Sequence, residues 1–107
     1  MIDHVSIPVR DLRAAGEFYD SVLAPLGLCR LVTRDATIGF GKRYPEFWLN
    51  SRPYLVSADN PGTHICLRAP NSEAVEAFHA RALALGPGMI DFDGNKIESV
   101  TFPRSQG

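Results

Sequence analysis

The chain has few cysteines, no long apolar run and no excess of charge of either sign, and each absence closes off a class of protein. Its two cysteines, Cys29 and Cys66, lie 37 positions apart, which gives neither a CxxC pair nor the dense spacing of a secreted disulfide framework. Free buried thiols are expected. Eleven Lys and Arg are scattered among twelve Asp and Glu, for a formal net charge of -1, so no basic stripe exists to neutralise phosphates and a nucleic-acid partner is discounted. No apolar run approaches the ~20 residues needed to span a bilayer, which argues against a membrane helix. Met1 leads straight into a strand-like segment, without the basic and apolar segments of a secretory leader, and a cytoplasmic location is the expectation. At 107 residues there is material for one hydrophobic core, hence one domain, 1–107.

What the chain does have is a pattern that begins twice. Ile2 to Val9 alternates, with Val5, Ile7 and Val9 on one face and Ile2, His4, Ser6 and Pro8 on the other. Asp11 then caps a helix carrying Leu12, Ala15, Phe18, Tyr19, Val22 and Leu23 at helical spacing, stopped by Pro25 and Gly27. Leu28 to Thr33, Thr37 to Gly41 and Glu46 to Asn50 read as a meander of short strands. Residues 51–62, with two prolines, Asn60 and Gly62, form a linker. Thr63 to Ala69 then alternates like the first strand, with Ile65 and Leu67 on one face and His64, Cys66 and Arg68 on the other. Pro70-Asn71-Ser72-Glu73 opens a second helix, on which Val75, Phe78, His79, Ala82 and Leu83 recur before Gly86. A turn at Asp93-Gly94-Asn95 and a strand from Lys96 to Phe102 close the pattern. Strand followed by helix, seen twice, predicts two copies of one βαβββ unit in an α+β fold: a first unit of about 1–50 and a second, short of strands, of 63–102.

His4, His64 and Glu98 stand out within these strands. Two imidazoles and one carboxylate hold a divalent iron, manganese, nickel or zinc ion while leaving positions open for a substrate. Ligands must share one side of a sheet, and in each strand the odd-offset neighbours Val5, Ile65 and Ile97 are apolar, so all three donors fall on the polar face. Without a metal, His4 and His64 would be hydrogen-bonded residues lining a cavity. Cys66 and Arg68 share the face of His64, Ser6 shares that of His4, and Trp48 reads as core or pocket wall. Turn chemistry accounts for Asp91, Asp93 and Asn95 without calcium.

Asp3-His4-Val5-Ser6-Ile7-Pro8-Val9 with Asp11, then Phe18-Tyr19, Leu23 and Leu26-Gly27, resembles the opening of the vicinal oxygen chelate superfamily, which includes glyoxalases, bleomycin-resistance proteins and extradiol dioxygenases. Gly62-Thr63-His64-Ile65 and Asp91-Phe92-Asp93-Gly94-Asn95-Lys96-Ile97-Glu98 resemble that family's second-half strand and closing signature, with Phe92 in place of the usual proline. The resemblance implies paired βαβββ modules whose curved mixed sheet forms a cup around a divalent metal, usually in a homodimer. His4, His64 and Glu98 match three of the family's ligand positions; the fourth, a glutamate in glyoxalases, falls at Trp48. The remaining triad is more like that of an extradiol dioxygenase. Where the family has about two further strands, this chain offers only Pro87 to Ile90 between Gly86 and Asp91, so the second module is expected to lack them and the open edge to be covered by a partner subunit through strand or module exchange.

Three functions follow from the resemblance. The first is metal-assisted lyase, isomerase or dioxygenase chemistry on a small substrate with neighbouring oxygens, with Trp48, Cys66, Arg68 and Ser6 lining the pocket. The second is a non-catalytic dimer that sequesters a planar apolar or cationic molecule between walls formed by Trp48, Tyr54 and Phe40. The third is an inactive remnant.

Overall fold

A computed structural model describes residues 1–54, 63–85 and 95–101. β1 (Val5–Val9) is followed by helix α1 (Leu12–Leu23), a short 3₁₀ turn at Ala24–Leu26, and three strands, β2 (Cys29–Thr33), β3 (Thr37–Gly41) and β4 (Pro45–Ser51). β5 (His64–Arg68), helix α2 (Ser72–Leu85) and β6 (Lys96–Val100) complete the described chain. The segment from α2 to β6 in which two strands were expected to be missing, residues 86–94, lies outside the described residues, as do 55–62 of the linker. No helix among the described residues is long and apolar enough to cross a membrane.

Local chemistry explains the first unit. The Asp11 carboxylate accepts a hydrogen bond from the Ala14 N–H at 3.1 Å, satisfying one of the donors that a helix start leaves unpaired. Ala15, Phe18, Tyr19, Val22 and Leu23 then form one buried stripe, and burying each of the larger ones contributes roughly 1.5–3 kcal/mol. The helix ends because the 3₁₀ turn runs into Gly27, whose φ of 82° is left-handed and suits a residue without Cβ. The chain then turns into the β2-β3-β4 meander, and β4 returns beside β1, giving the order β1-β4-β3-β2 with β1 and β4 parallel and the other pairs antiparallel. Ile7, Leu49 and Ile38 form one row across the sheet, and all three are buried against α1.

β1 begins at Val5, three residues later than its alternation suggested, and its parallel register starts at Val5 opposite Phe47. Two positions earlier in β4 stands Pro45, which has no N–H to extend the ladder. His4 therefore precedes the strand.

In the second unit β5 and β6 form a separate parallel pair in which Cys66 lies opposite Glu98. Asn71 caps α2, its side-chain oxygen accepting from the Ala74 N–H at 2.8 Å. The buried stripe of α2 is Ala74, Phe78 and Ala82, while Leu83 of the expected stripe is exposed. Two alanines around one phenylalanine allow close packing against α1, and the Arg81 guanidinium adds a hydrogen bond to the Ser21 carbonyl at 3.0 Å. Asn95, 2% exposed, donates from its amide to the Pro8 carbonyl at 2.9 Å and so ties the start of β6 to β1.

Candidate functional site

The face of the four-stranded sheet opposite α1 is built from two rows. Ser6, Trp48 and Gly39 are register partners, and Pro8, Asn50 and Thr37 form the next row. Gly39 is what allows the Trp48 ring to lie across the sheet: a Cβ there would stand 3.0 Å from one ring atom and 3.1 Å from another. Arg34, in the β2–β3 turn, places its guanidinium carbon 5.7 Å from the centre of that ring, within the range of a cation–π contact. These residues, with His4 and Pro45 at one end, line a groove of about 430 Å³.

The second group of candidates lies on the β5–β6 pair. His64 Nε2 stands 2.5 Å from Glu98 Oε1, with the Lys96 ammonium 3.6 Å from the same oxygen. His64 pairs with Lys96, and Cys66 with Glu98, so imidazole and carboxylate meet on a diagonal of one sheet face. His64, Cys66 and Arg68 line a groove of about 540 Å³ whose other wall includes Asp3, His4 and Glu46.

His4 borders both grooves. Its Nδ1 lies 2.9 Å from the Asp3 carboxylate, which also accepts from the Tyr44 hydroxyl at 3.2 Å. The His4 hydrogen bond, with that of Tyr44 in support, holds the Asp3 carboxyl below the usual range, and the Asp3 charge pushes the Tyr44 phenol up. The expected triad is thus brought together in part: His64 and Glu98 meet, His4 lies across a groove from His64, and among the described residues no three His, Cys, Asp or Glu side chains converge as ligands.

The structure revises several other expectations. Both cysteines are exposed rather than buried: Cys29 opens β2, which among the described residues pairs only with β3, and Cys66 lines the groove beside β5. Phe40 is fully buried in the core and cannot be a ligand wall, and Tyr54 is 95% exposed beside a different groove with Pro8, Arg52 and Pro53. Of the three aromatic walls, Trp48 remains. Arg34, Thr37 and Asn50 were not expected in the site. The parity of β3 and β4 carries a signal for Thr37 and Asn50, since both share the face of Trp48. Arg34 gives none, because a turn residue's reach depends on how the turn folds back.

Neither a family model nor a curated protein matches the sequence. Among solved structures, the chain is similar to a glyoxalase/bleomycin resistance protein from Albidiferax ferrireducens T118, at 27% identity and a TM-score of 0.78, over 94% of this chain and 98% of that one. The chain has the fold of the vicinal oxygen chelate superfamily. A lactoylglutathione lyase from Agrobacterium tumefaciens shares this vicinal oxygen chelate fold at 20% identity and a TM-score of 0.68, over 94% of this chain and 92% of that one. The fosfomycin resistance protein FosX from Listeria monocytogenes does so at 16% identity and a TM-score of 0.68, over 97% and 94%.

The vicinal oxygen chelate fold implies a divalent metal, and the donors here fit it in chemistry. An imidazole nitrogen and a carboxylate oxygen meet on one sheet face, as two ligands of one ion must. The third donor, His4, does not reach this pair within one chain.

Proposed function

We propose that the chain binds a small molecule with two neighbouring oxygens at a divalent ion held by His64, Glu98 and His4, the remainder of that molecule lying in the groove floored by Trp48. The approach of His64 Nε2 to Glu98 Oε1 carries the proposal. When bound, such an ion supplies Lewis acidity toward adjacent oxygens. The chain's own residues orient and enclose: the Lys96 ammonium stands beside the Glu98 carboxylate, and Asp3 fixes the His4 ring through Nδ1, which leaves Nε2 for a ligand. A second copy of the chain belongs to the proposal, because among the described residues β1 and β5 each pair along one edge and His4 must meet the His64–Glu98 pair of a facing unit.

One observation favours a second reading, a binding dimer without a metal: no three donors converge among the described residues, in keeping with the resemblance, which puts Trp48 at the position of a glyoxalase's glutamate. Elemental analysis of protein purified without chelator, run beside light scattering, decides between them. Near-stoichiometric metal in a dimer, lost in Glu98→Ala and in His64→Ala, is the expected result. A metal-free protein after reconstitution, with small-molecule binding unchanged in a His4→Ala, His64→Ala double variant, overturns the metal site and leaves the binding dimer.

A further inference from the structure

The groove on the open face of β1-β4-β3-β2 has a charge asymmetry that the metal site does not explain. Among the described residues its lining includes one full cation, Arg34, and no carboxylate. Among the described residues the Arg34 guanidinium has no ion-pair partner; its contact is with the Trp48 ring, 5.7 Å from the centroid. Arg30 makes the contrast: it also lies over an aromatic ring, that of Phe40, yet two hydrogen bonds to the Asp20 carboxylate, at 3.0 and 2.7 Å, neutralise it. A cation–π contact holds an arginine in place through the ring quadrupole and leaves its N–H donors for an anion.

The surroundings suit a bound anion with a flat body. The Arg34 backbone N–H donates to the Thr37 carbonyl at 2.8 Å, so the turn that carries the guanidinium is closed on itself. The Thr37 hydroxyl and Asn50 amide form the adjoining row, with Ser6 beside Trp48, and each supplies neutral hydrogen-bonding capacity without opposing charge. Trp48, its ring seated on the bare Gly39, offers an apolar surface. A volume of about 430 Å³ lies within the ~300–1,000 Å³ of small-molecule sites.

We propose that this groove selects ligands carrying an anionic group, a carboxylate or a phosphate, on a planar apolar body, with Arg34 binding the anion and Trp48 stacking the body. This rests on the site described under Proposed function only in placing the ligand's other end toward His4, and it replaces the cationic ligand expected from the aromatic residues alone, which Arg34 would repel.

The test pairs 1-naphthoate with its neutral counterpart 1-naphthylmethanol, neither of which carries neighbouring oxygens. Binding is read from the indole N–H resonance of Trp48, the chain's one tryptophan, in protein as purified and after chelator treatment. Naphthoate is expected to bind about tenfold tighter than the alcohol at low salt, the strength of a charge-assisted hydrogen bond to a partly exposed cation. Arg34→Gln should reduce that preference to within about twofold, and Arg34→Lys should retain part of it because an ammonium cannot form a bidentate pair. Equal affinities in the parent protein, or a preference that survives Arg34→Gln, overturns the assignment. A preference lost on chelation but indifferent to Arg34→Gln overturns it in favour of the metal site; a preference that persists in metal-free protein and depends on Arg34 upholds it even where the metal proposal fails.

Discussion

Asn95→Ala removes a side-chain hydrogen bond by which the start of β6 is anchored to β1. In the native chain the amide is 2% exposed and donates to the Pro8 carbonyl at 2.9 Å. Alanine removes the donor and leaves that carbonyl without it, in a space the smaller side chain does not fill. An unpaired buried acceptor costs about 1–3 kcal/mol, so about 2 kcal/mol is expected. For a chain of this size, with a urea slope of about 1.5 kcal/mol per molar, the unfolding midpoint should fall by roughly 1.3 M, and the melting temperature by about 10 °C. Asn71→Ala is the matched control, because it removes a side-chain to backbone hydrogen bond of 2.8 Å at the exposed start of α2, for about 1 kcal/mol. Urea unfolding followed by far-UV circular dichroism reads both variants. An Asn95→Ala midpoint no lower than that of Asn71→Ala would refute the idea that a buried amide locks the two units together.

Two further outcomes follow from the geometry around the grooves. Gly39→Ala puts a methyl group 2.9 Å from Pro45 Cβ and 3.0 Å from the Trp48 ring; it should displace the indole, shift the emission of the chain's single tryptophan and cost roughly 1–2 kcal/mol, whereas an unchanged spectrum would mean the ring does not rest on that glycine. The depressed Asp3 carboxyl contributes stability above its unfolded-state pKa, and that contribution is lost as pH falls through the lower folded-state value. NMR titration of Asp3 should therefore move upward in Tyr44→Phe and further upward in His4→Gln, the larger of the two hydrogen bonds; an unmoved midpoint in His4→Gln would show that the imidazole is not its main partner.

Much of this architecture was legible from periodicity and caps. Asp11 and Asn71 are side-chain caps whose position follows from a hydrogen bond three residues ahead, and the alternation of β1 and β5 placed His64 on the polar face. The diagonal meeting of His64 with Glu98 was half legible: parity gave the shared face, but the register that brings the atoms together is a tertiary fact. The start of β1 was misread because Ile2 continues the alternation, while the ladder depends on where β4 has N–H groups to offer. On α2 the apolar residues outnumber those the packing uses, so Leu83 looked buried when alanines set the contact. The exposure of Cys29 and Cys66 was hidden for a related reason, since burial follows from what covers a strand and not from its own sequence.

The strands beside His4 and His64 are both paired in parallel, which requires long connections. β1 finds its partner β4 about 40 residues further along the chain, and β5 meets β6 only after a helix has intervened, whereas β2, β3 and β4 are joined by short turns and can pair at once. The segment bearing His4 precedes the meander in the chain, yet β1 pairs with β4, the meander's last strand. His4 and His64, at the heads of β1 and β5, are thus positioned by pairings of long sequence separation, the class of contact that costs the most loop-closure entropy to form.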